Sequence, residues 1–350
     1  MSWQNCTLGD VVKLQRGHDL PERLRVDGPI PIVSSSGITG RHNVAKAEPP
    51  GVVTGRYGTI GEVFFLEEPY WPLNTALYVV DFKGNNPRFA AYLLRNTLKN
   101  YQSEKAAVPG VDRNVLHLLK VRAPDRQLQE RIVSVLSAYD DLIENNRRRI
   151  ALLEEVGRML YREWFVRFRF PGHEHVKIID GLPEGWERRP FGQIAVLNYG
   201  KALKEENRLE GTFPVYGSSG VVGSHQVALV EGPTIVIGRK GNVGSIYWAP
   251  TNFWPIDTVY FISKGQADFW LYLALPSAGF QNTDAGVPGL NREFAYSREL
   301  ICPTPRLRQL FNEAVEPMFV QRTTLENYNS KLAQARDLLL PRLMNGEITV

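Results

Sequence analysis

Apolar residues in the first 124 positions come in short β-branched and aromatic runs, "GVVTG", "EVFFLE" and "TALYVV", bounded by Gly, Pro and Asn. Such runs predict strands. One stretch, "PRFAAYLLRNTL", has helical spacing instead. From Asp125, a residue type suited to an N-cap, the pattern changes to roughly 40 residues without Pro, predicting a helix of roughly 60 Å. Its apolar positions Leu128, Ile132, Val135, Tyr139, Leu142, Leu153, Val156 and Leu160 follow a heptad track, with Asn146 and Arg149 also on that seam to fix register or face a partner. Short strand-like runs then return, "PTIVIG", "SIYWA" and "TVYFIS", with a helical patch "ADFWLYLAL". A last helical stretch puts Phe311, Met318, Leu325, Leu332 and Leu339 at successive sevens. Two matching seams predict an antiparallel helix pair. Pro317 would break a helix interior, so "PTPRLRQLFNEAVE" is expected as a separate short helix.

The second half repeats the first. "WQNCTLGDVVKLQRG" from Trp3 lies over "WERRPFGQIAVLNYG" from Trp186, an offset of 183 positions, with Trp, Gly, Leu and Gly coinciding. The offset holds through "PIVSSSGITGRHN" and "PVYGSSGVVGSHQ", the loops "GRYGTIG" and "GRKGNVG", and "YWPLNTALYV" and "FWPIDTVYFI". With a four-residue deletion, "VPGVDRN" then meets "VPGLNRE". A period this long exceeds the roughly 20–50 residues of solenoid repeats, so a whole domain is duplicated. The expected class is α+β: mixed α/β domains at 1–124 and 186–303, helical regions at 125–170 and 304–350, and a Gly/Pro-rich linker at 171–185. Two similar modules imply two similar targets.

Composition narrows this only slightly. At 350 residues each module can bury a core, and 41 Lys plus Arg against 37 Asp plus Glu leave a net charge of +4, which is compatible with a nucleic-acid partner without arguing for one. Cys6 and Cys302 stand far apart, giving neither a disulfide framework nor a metal spacing. The N-terminus lacks a basic and an apolar targeting segment and no run approaches eighteen apolar residues, so a soluble cytoplasmic protein with no membrane partner is expected. The glycine loops space their glycines by three and three, which fits neither nucleotide-binding fingerprint.

In this order the motifs resemble the specificity subunit, HsdS, of type I restriction-modification systems. The marks are "W…LGDVVKLQRG", the paired glycine loops, "MLYREWFVRFRFPG", "GLPEGWERRPFGQI" and the closing "LLLPRLMNGEI", and they span essentially the whole chain. The resemblance implies a non-catalytic DNA-reading subunit, with two target recognition domains in a pseudo-twofold arrangement, separated by two long antiparallel coiled-coil-like helices. It implies double-stranded DNA with a bipartite target, two methyltransferase (HsdM) subunits docked on the helical regions, and restriction (HsdR) subunits in the full complex. No cofactor is implied in this chain: S-adenosylmethionine, ATP and Mg belong to the partner subunits. On physical grounds too, two modules on a rigid strut meet one face of a duplex at about one helical turn or a multiple.

Candidate DNA contacts lie on three pairs of loops. The glycine loops offer Arg56 and Tyr57, and Arg239, Lys240 and Asn242, able to meet phosphate or guanine O6 and N7. The serine loops offer Ser35, Arg41 and His42, and Ser218, Ser219 and His225. The later loops offer Arg113 and Asn114, and Asn291 and Arg292. Each has a structural reading beside the functional one: glycines supply turn geometry, Ser, Asp and Asn cap backbone groups, and exposed Arg is solvated. Positions identical in both copies suit the shared fold or phosphate contact, whereas half-site readout must come from differences such as Tyr57 against Lys240, Arg41 against Ser224, and Asp112 against Asn291.

Other clusters favour structure. Arg147 to Arg149 read as a solvated or partner-facing helix face, His173-Glu174-His175 as an exposed turn without a third ligand, and Tyr161, Trp164, Phe165, Phe168 and Phe170 as core or interface. No catalytic constellation is found: "NNPRF" and "EPPG" do not make a methyltransferase motif. Two alternatives stay open at this level, the specificity chain of a type IIB enzyme and a duplicated protein-interaction scaffold.

Overall fold

The structure, a computed structural model, describes residues 3–57, 61–99, 110–282 and 289–350. Positions 58–60 of the first glycine loop, and 108–109 and 287–288 of the later loops, lie outside the described residues. The chain forms two compact units: unit 1 is Met1–Asn145 with Tyr328–Val350, and unit 2 is Asn146–Asn327.

Unit 1 runs β1 (Gln4–Thr7), α1 (Leu8–Val11), β2 (Lys13–Arg16), β3 (Ile30–Ser34), β4 (Gly37–His42), β5 (Gly51–Gly55), β6 (Val63–Leu66), β7 (Trp71–Pro72), β8 (Ala76–Asp81), α2 (Pro87–Leu98), α3 (Arg113–His117) and β9 (Lys120–Ala123), then enters helix α4 (Arg126–Tyr161). Unit 2 runs β10 (Ile178–Ile179), β11 (Leu182–Pro183), β12 (Glu187–Pro190), β13 (Leu197–Tyr199), β14 (Phe213–Gly217), β15 (Gly220–His225), β16 (Thr234–Gly238), β17 (Ile246–Ala249), β18 (Trp254–Pro255), β19 (Val259–Ile262), α5 (Phe269–Ala274), α6 (Arg292–Ser297) and β20 (Glu299–Cys302), and helix α7 (Pro305–Met344) closes the chain. The sheets match copy for copy. Unit 1 has orders β2-β8-β5-β6, β4-β3-β7 and β1-β9; unit 2 has β13-β19-β16-β17, β15-β14-β18 and β12-β20, plus the small hairpin β10-β11. The mixed α/β class expected from the sequence is thus the class observed.

Local chemistry explains the boundaries. Asn86 caps α2, its side chain accepting the N–H groups of Arg88 (2.9 Å) and Phe89 (3.3 Å), while Pro87 occupies the first turn, where no N–H is needed. Asp125 accepts the Leu128 N–H at 2.9 Å and so starts α4. The apolar face of α2 lies on the sheet: Phe89, Leu93 and Leu94 join Val52, Leu77 and Val79 in one buried cluster. Leu128, Ile132 and Leu136 of α4 and Leu340, Leu343 and Met344 of α7 complete it. In unit 2 the aromatic group read as core is core: Trp164, Phe165 and Phe170 pack with Trp186 and Phe311, and Phe165 meets Phe311 at 4.8 Å between centroids. A π-helical turn, Arg162–Val166, ends the first long helix and buries both Trp164 and Phe165. Residues 171–185 are more structured than a bare linker, holding a 3-10 turn at His173–His175 and the β10-β11 hairpin.

Within each unit α4 and α7 run antiparallel. In unit 1 Asp140 pairs with Arg336, and the Asn329 amide donates to the Ile143 carbonyl at 3.3 Å. In unit 2 Glu154 pairs with Arg322 at 3.1 Å, Gly157 faces Phe319, and Tyr161 and Trp164 pack on Phe311. The seam differs from the heptad track in detail. Leu142 and Val156 are 47% and 45% exposed, and Arg149 is exposed, while the buried positions are Leu128, Gln129, Ile132, Leu136, Ile143, Asn146 and Gly157. A straight helix turns every 3.6 residues, so a strict 3.5 track drifts off the contact face by about 20° per heptad.

Pro317 does not end the second helix; α7 is continuous from Pro305 to Met344. Proline removes the bond to the Glu313 carbonyl, but Glu313 and Pro317 are both exposed, so water can satisfy that group. Phe311, Val315 and Phe319 around it are buried at 0%, 0% and 5% exposure. Burial worth roughly 2 kcal/mol per large side chain outweighs a proline penalty of about 3 kcal/mol.

One packing position is met differently by the two copies. The Leu14 N–H donates to His117 Nε2 at 2.9 Å, and the matching Leu197 N–H donates to the Tyr296 hydroxyl at 3.0 Å. His117 therefore accepts through an unprotonated nitrogen. Burial, followed by the nearby charges of Lys83, Arg113 and Lys13, lowers its pKa from the ordinary 6.5.

Two outcomes follow. Phe311→Ala should destabilise unit 2 by about 3–5 kcal/mol in denaturant unfolding. Below pH 6.5 the unfolded chain takes up a proton that folded His117 resists, so this contribution is complete above pH 6.5 and is lost as pH falls. Thermal melts of His117→Tyr should show a weaker loss of stability between pH 7 and 5 than the parent chain.

Candidate nucleic-acid interface

Each glycine loop is fastened by backbone to the start of a later helix. In unit 1 the N–H groups of Arg56 (2.9 Å) and Tyr57 (3.4 Å) donate to the Thr75 carbonyl, and the Val111 N–H donates to the Arg56 carbonyl at 2.8 Å. In unit 2 Arg239 (2.9 Å) and Lys240 (3.0 Å) donate to Thr258, and Leu290 donates to Arg239 at 2.8 Å. Single β-bridges, Tyr57 to Gly110 and Lys240 to Gly289, complete the clasp. Gly110 is needed for this approach: a Cβ there would lie 2.8 Å from the Tyr57 ring. The clasp brings Arg113 and Asn114, at the start of α3, beside Arg56 and Tyr57, and brings Asn291 and Arg292 beside Arg239 and Lys240.

Aromatic rings order the cations. The Arg56 guanidinium lies 4.5 Å from the Tyr57 ring centroid. In unit 2 Arg239 lies 5.0 Å from Tyr199 and 5.7 Å from Tyr260, and Arg292 lies 5.4 Å from Tyr199. Such contacts are worth about 0.5–1 kcal/mol at exposed sites. Arg239 also donates to the Asp257 carbonyl at 3.1 Å. Beneath them the Tyr260 hydroxyl donates to the Leu290 carbonyl at 3.1 Å, and its pKa is pushed up to about 12, first by burial and then by Tyr199. The Asn242 amide donates to Ser219 Oγ at 3.3 Å, so in unit 2 the serine turn and the glycine loop share one surface. Cationic side chains ordered on tight loops suit phosphate oxygens and the acceptor edge of guanine.

Several of the candidate residues are engaged in bonds within the fold. His42 and His225 are 6% and 9% exposed; each ring accepts a backbone N–H through Nδ1, from Val26 and Leu209 respectively at 3.1 Å, and each packs edge-on against a Trp, Trp71 or Trp254. Both rings thereby fasten a hairpin, β3–β4 or β14–β15, to the chain that precedes it. Arg41 and His42 also pair with Pro31 and Ile30, at the opposite end of the hairpin from the Ser34–Gly37 turn. That is about 16 Å away at strand rise. Arg41 is exposed but donates to the Pro29 carbonyl, and its counterpart Ser224 accepts from Gly211. Ser218 is buried, its carbonyl accepting the Ser245 and Tyr247 hydroxyls, whereas Ser35 is half-buried and Ser219 exposed at the turns. Asp112 and Asn291 are helix N-caps: Asp112 accepts from Asn114, and Asn291 from Glu293 and Phe294. That difference between the copies exchanges one capping residue for another.

The site also uses residues not picked out in the sequence. Tyr199, 50% exposed at the end of β13, carries two arginines, and Arg16 occupies the matching end of β2. The available signal was their position: each precedes the shared Gly17 or Gly200. His173 and His175 only flank Glu174, and among the described residues no group of His, Cys, Asp or Glu is arranged to hold a metal ion. Among them, too, no helix is long and apolar enough to cross a membrane.

The same arrangement has counterparts among known proteins. Residues 1–155 match the family described as the type I restriction modification DNA specificity domain, and the resemblance read from the sequence is borne out. The Type I restriction enzyme MjaIX specificity subunit of Methanocaldococcus jannaschii is 23% identical over 327 residues, covering 83% of this chain and 76% of that protein. The Type I restriction enzyme HindI specificity subunit of Haemophilus influenzae is 22% identical over 341 residues, covering 71% and 73%. The crystal structure of a type I restriction-modification system S subunit from M. genitalium matches with a TM-score of 0.59 at 19% identity, over 98% of this chain and 96% of that one. The two chains share a fold.

The capping roles set a test. Asp112→Ala and Asn291→Ala should each cost about 1 kcal/mol, read as a lower denaturation midpoint.

Proposed function

We propose that this chain is the DNA-specificity subunit of a type I restriction-modification complex, each unit reading one half of a bipartite double-stranded DNA target. The observation that carries the reading is the duplicated clasp, which sets cationic residues at the same place in both units: Arg56, held on a tyrosine ring, with Arg113 in one, and Arg239 and Arg292, both held on Tyr199, with Lys240 in the other. The specificity domain at 1–155 and the relatives named as specificity subunits support it.

In this reading 1–124 and 186–303 are the recognition domains, while 125–170 and 304–350 are the helical regions on which two methyltransferase subunits dock. Restriction subunits join the full complex. The chain itself is non-catalytic and works in the cytoplasm, with S-adenosylmethionine, ATP and Mg held by its partners. The cations meet phosphates and guanine edges; Tyr57, Ser35, Asn114, Ser219 and Asn242 add contacts at the same loops. Ser218 and Asn291 hold those loops in shape, and His42 and His225 secure the far ends of the hairpins.

Phosphate contact makes affinity salt-dependent. Arg113→Ala and Lys240→Ala should each weaken DNA binding and lower the slope of log K against log salt by about 1, measured by fluorescence anisotropy on the complex with methyltransferase. A slope equal to the parent's in both variants would show that neither side chain meets phosphate. Replacing "GRKGNVG" with "GRYGTIG" should change one half-site only, and a methylation map with both half-sites intact overturns that assignment.

A further inference from the structure

The two recognition surfaces carry the same residue chemistry in exchanged order. The end of β2 bears Arg16 and the first glycine loop bears Tyr57; the end of β13 bears Tyr199 and the second loop bears Lys240. Backbone register puts these positions in the same place. Arg16 pairs with Leu77, next to the Gly17 N–H that donates to Ala76; Tyr199 pairs with Tyr260, next to the Gly200 N–H that donates to Val259. In both units the adjoining Thr, Thr75 or Thr258, accepts from the loop arginine. Each surface therefore holds one tyrosine and one cation, and the tyrosine changes sides.

The move redirects the loop arginine that both copies share. In unit 1 Arg56 stacks on the ring of its own neighbour, Tyr57, at 4.5 Å. In unit 2 Arg239 is drawn across to β13, where the Tyr199 ring contacts both it and Arg292, at 5.0 Å and 5.4 Å. Asp257 and Tyr260 hold Arg239 from the other side. A guanidinium held against a ring loses much of its rotational freedom, which favours the fixed fork that two acceptors of one guanine require. A free arginine would serve phosphate as well.

We propose that the exchanged pairs, Arg16 with Tyr57 and Tyr199 with Lys240, set the difference between the two half-sites, and that Tyr199 is a positioning residue aiming Arg239 and Arg292 at guanine. The proposal rests on the DNA-specificity reading. Tyr57 and Lys240 alone do not define the difference: each acts with its partner at the strand end.

The test uses the full chain assembled with its cognate methyltransferase and a duplex library of randomised sequence, with bound molecules sequenced and the melting temperature of each variant measured. R16Y/Y57K, which gives unit 1 the arrangement of unit 2, should alter the first half-site and leave the second unchanged. Y199A should reduce selectivity for a guanine in the second half-site roughly tenfold, and Y199F, which keeps the ring, should retain it. A merely structural Tyr199 would lower the melting temperature without touching base preference, and that result overturns the proposal. So does the parent's pair of half-sites recovered from both R16Y/Y57K and Y199A. If the parent complex enriches no sequence, the DNA-specificity reading falls, and this proposal with it. Should R16Y/Y57K fail to fold, Y199A against Y199F decides the matter.

Discussion

The clasp between loop and helix turns on a backbone hydrogen bond in each unit, from Val111 to Arg56 and from Leu290 to Arg239. The glycine loop is also tied to the Thr75 or Thr258 carbonyl, which accepts two of its N–H groups. Fastened there, it presents two consecutive side chains at a defined place and brings a second arginine from the next helix beside them. Because backbone atoms make the bond, the side chains on either side can change without loosening it. Tyr57 and Lys240 stand on the same support, which is the freedom that two different targets require.

Much of this was legible in the sequence, for reasons visible in particular residues. The runs "GVVTG" and "PTIVIG" became β5 and β16, fully buried at all five positions, because β-branched residues between glycines have few other uses. The long helices were legible from their apolar spacing, but the seam was read one step off at Leu142 and Val156, since a heptad ruler and a straight helix diverge. Pro317 misled because local propensity was weighed without the burial of Phe311 and Val315 around it. At the surface, polar residues were legible as a set and not as roles. His42 and Arg41 are adjacent in sequence, yet one is buried and the other exposed, because neighbours on a strand face opposite ways. Tyr199 was hidden because its importance lies in two arginines 40 and 93 positions away, at 239 and 292.

Comparing the copies shows what duplication preserves. The N–H of Leu14 or Leu197 must find an acceptor; one copy uses an imidazole and the other a phenol. The start of α2 is met by Gln129 of α4, and the start of α5 by Asn312 of α7. Buried backbone groups impose a demand that outlasts the side chain meeting it. Identity between the halves therefore understates how alike they are.

The tracing of unit 1 through both ends of the chain has a consequence for synthesis. Its core includes Leu340, Leu343 and Met344, and Gly346 lies against Trp3. Unit 2 is continuous from Asn146 to Asn327. A growing chain usually folds from its N-terminus onward. Here the second module has all of its residues before the first can close, so the nascent first module must wait with one wall of its core uncovered. Any pause or early stop in the last turns of α7 exposes the N-terminal half, far away in sequence, to chaperones and proteases.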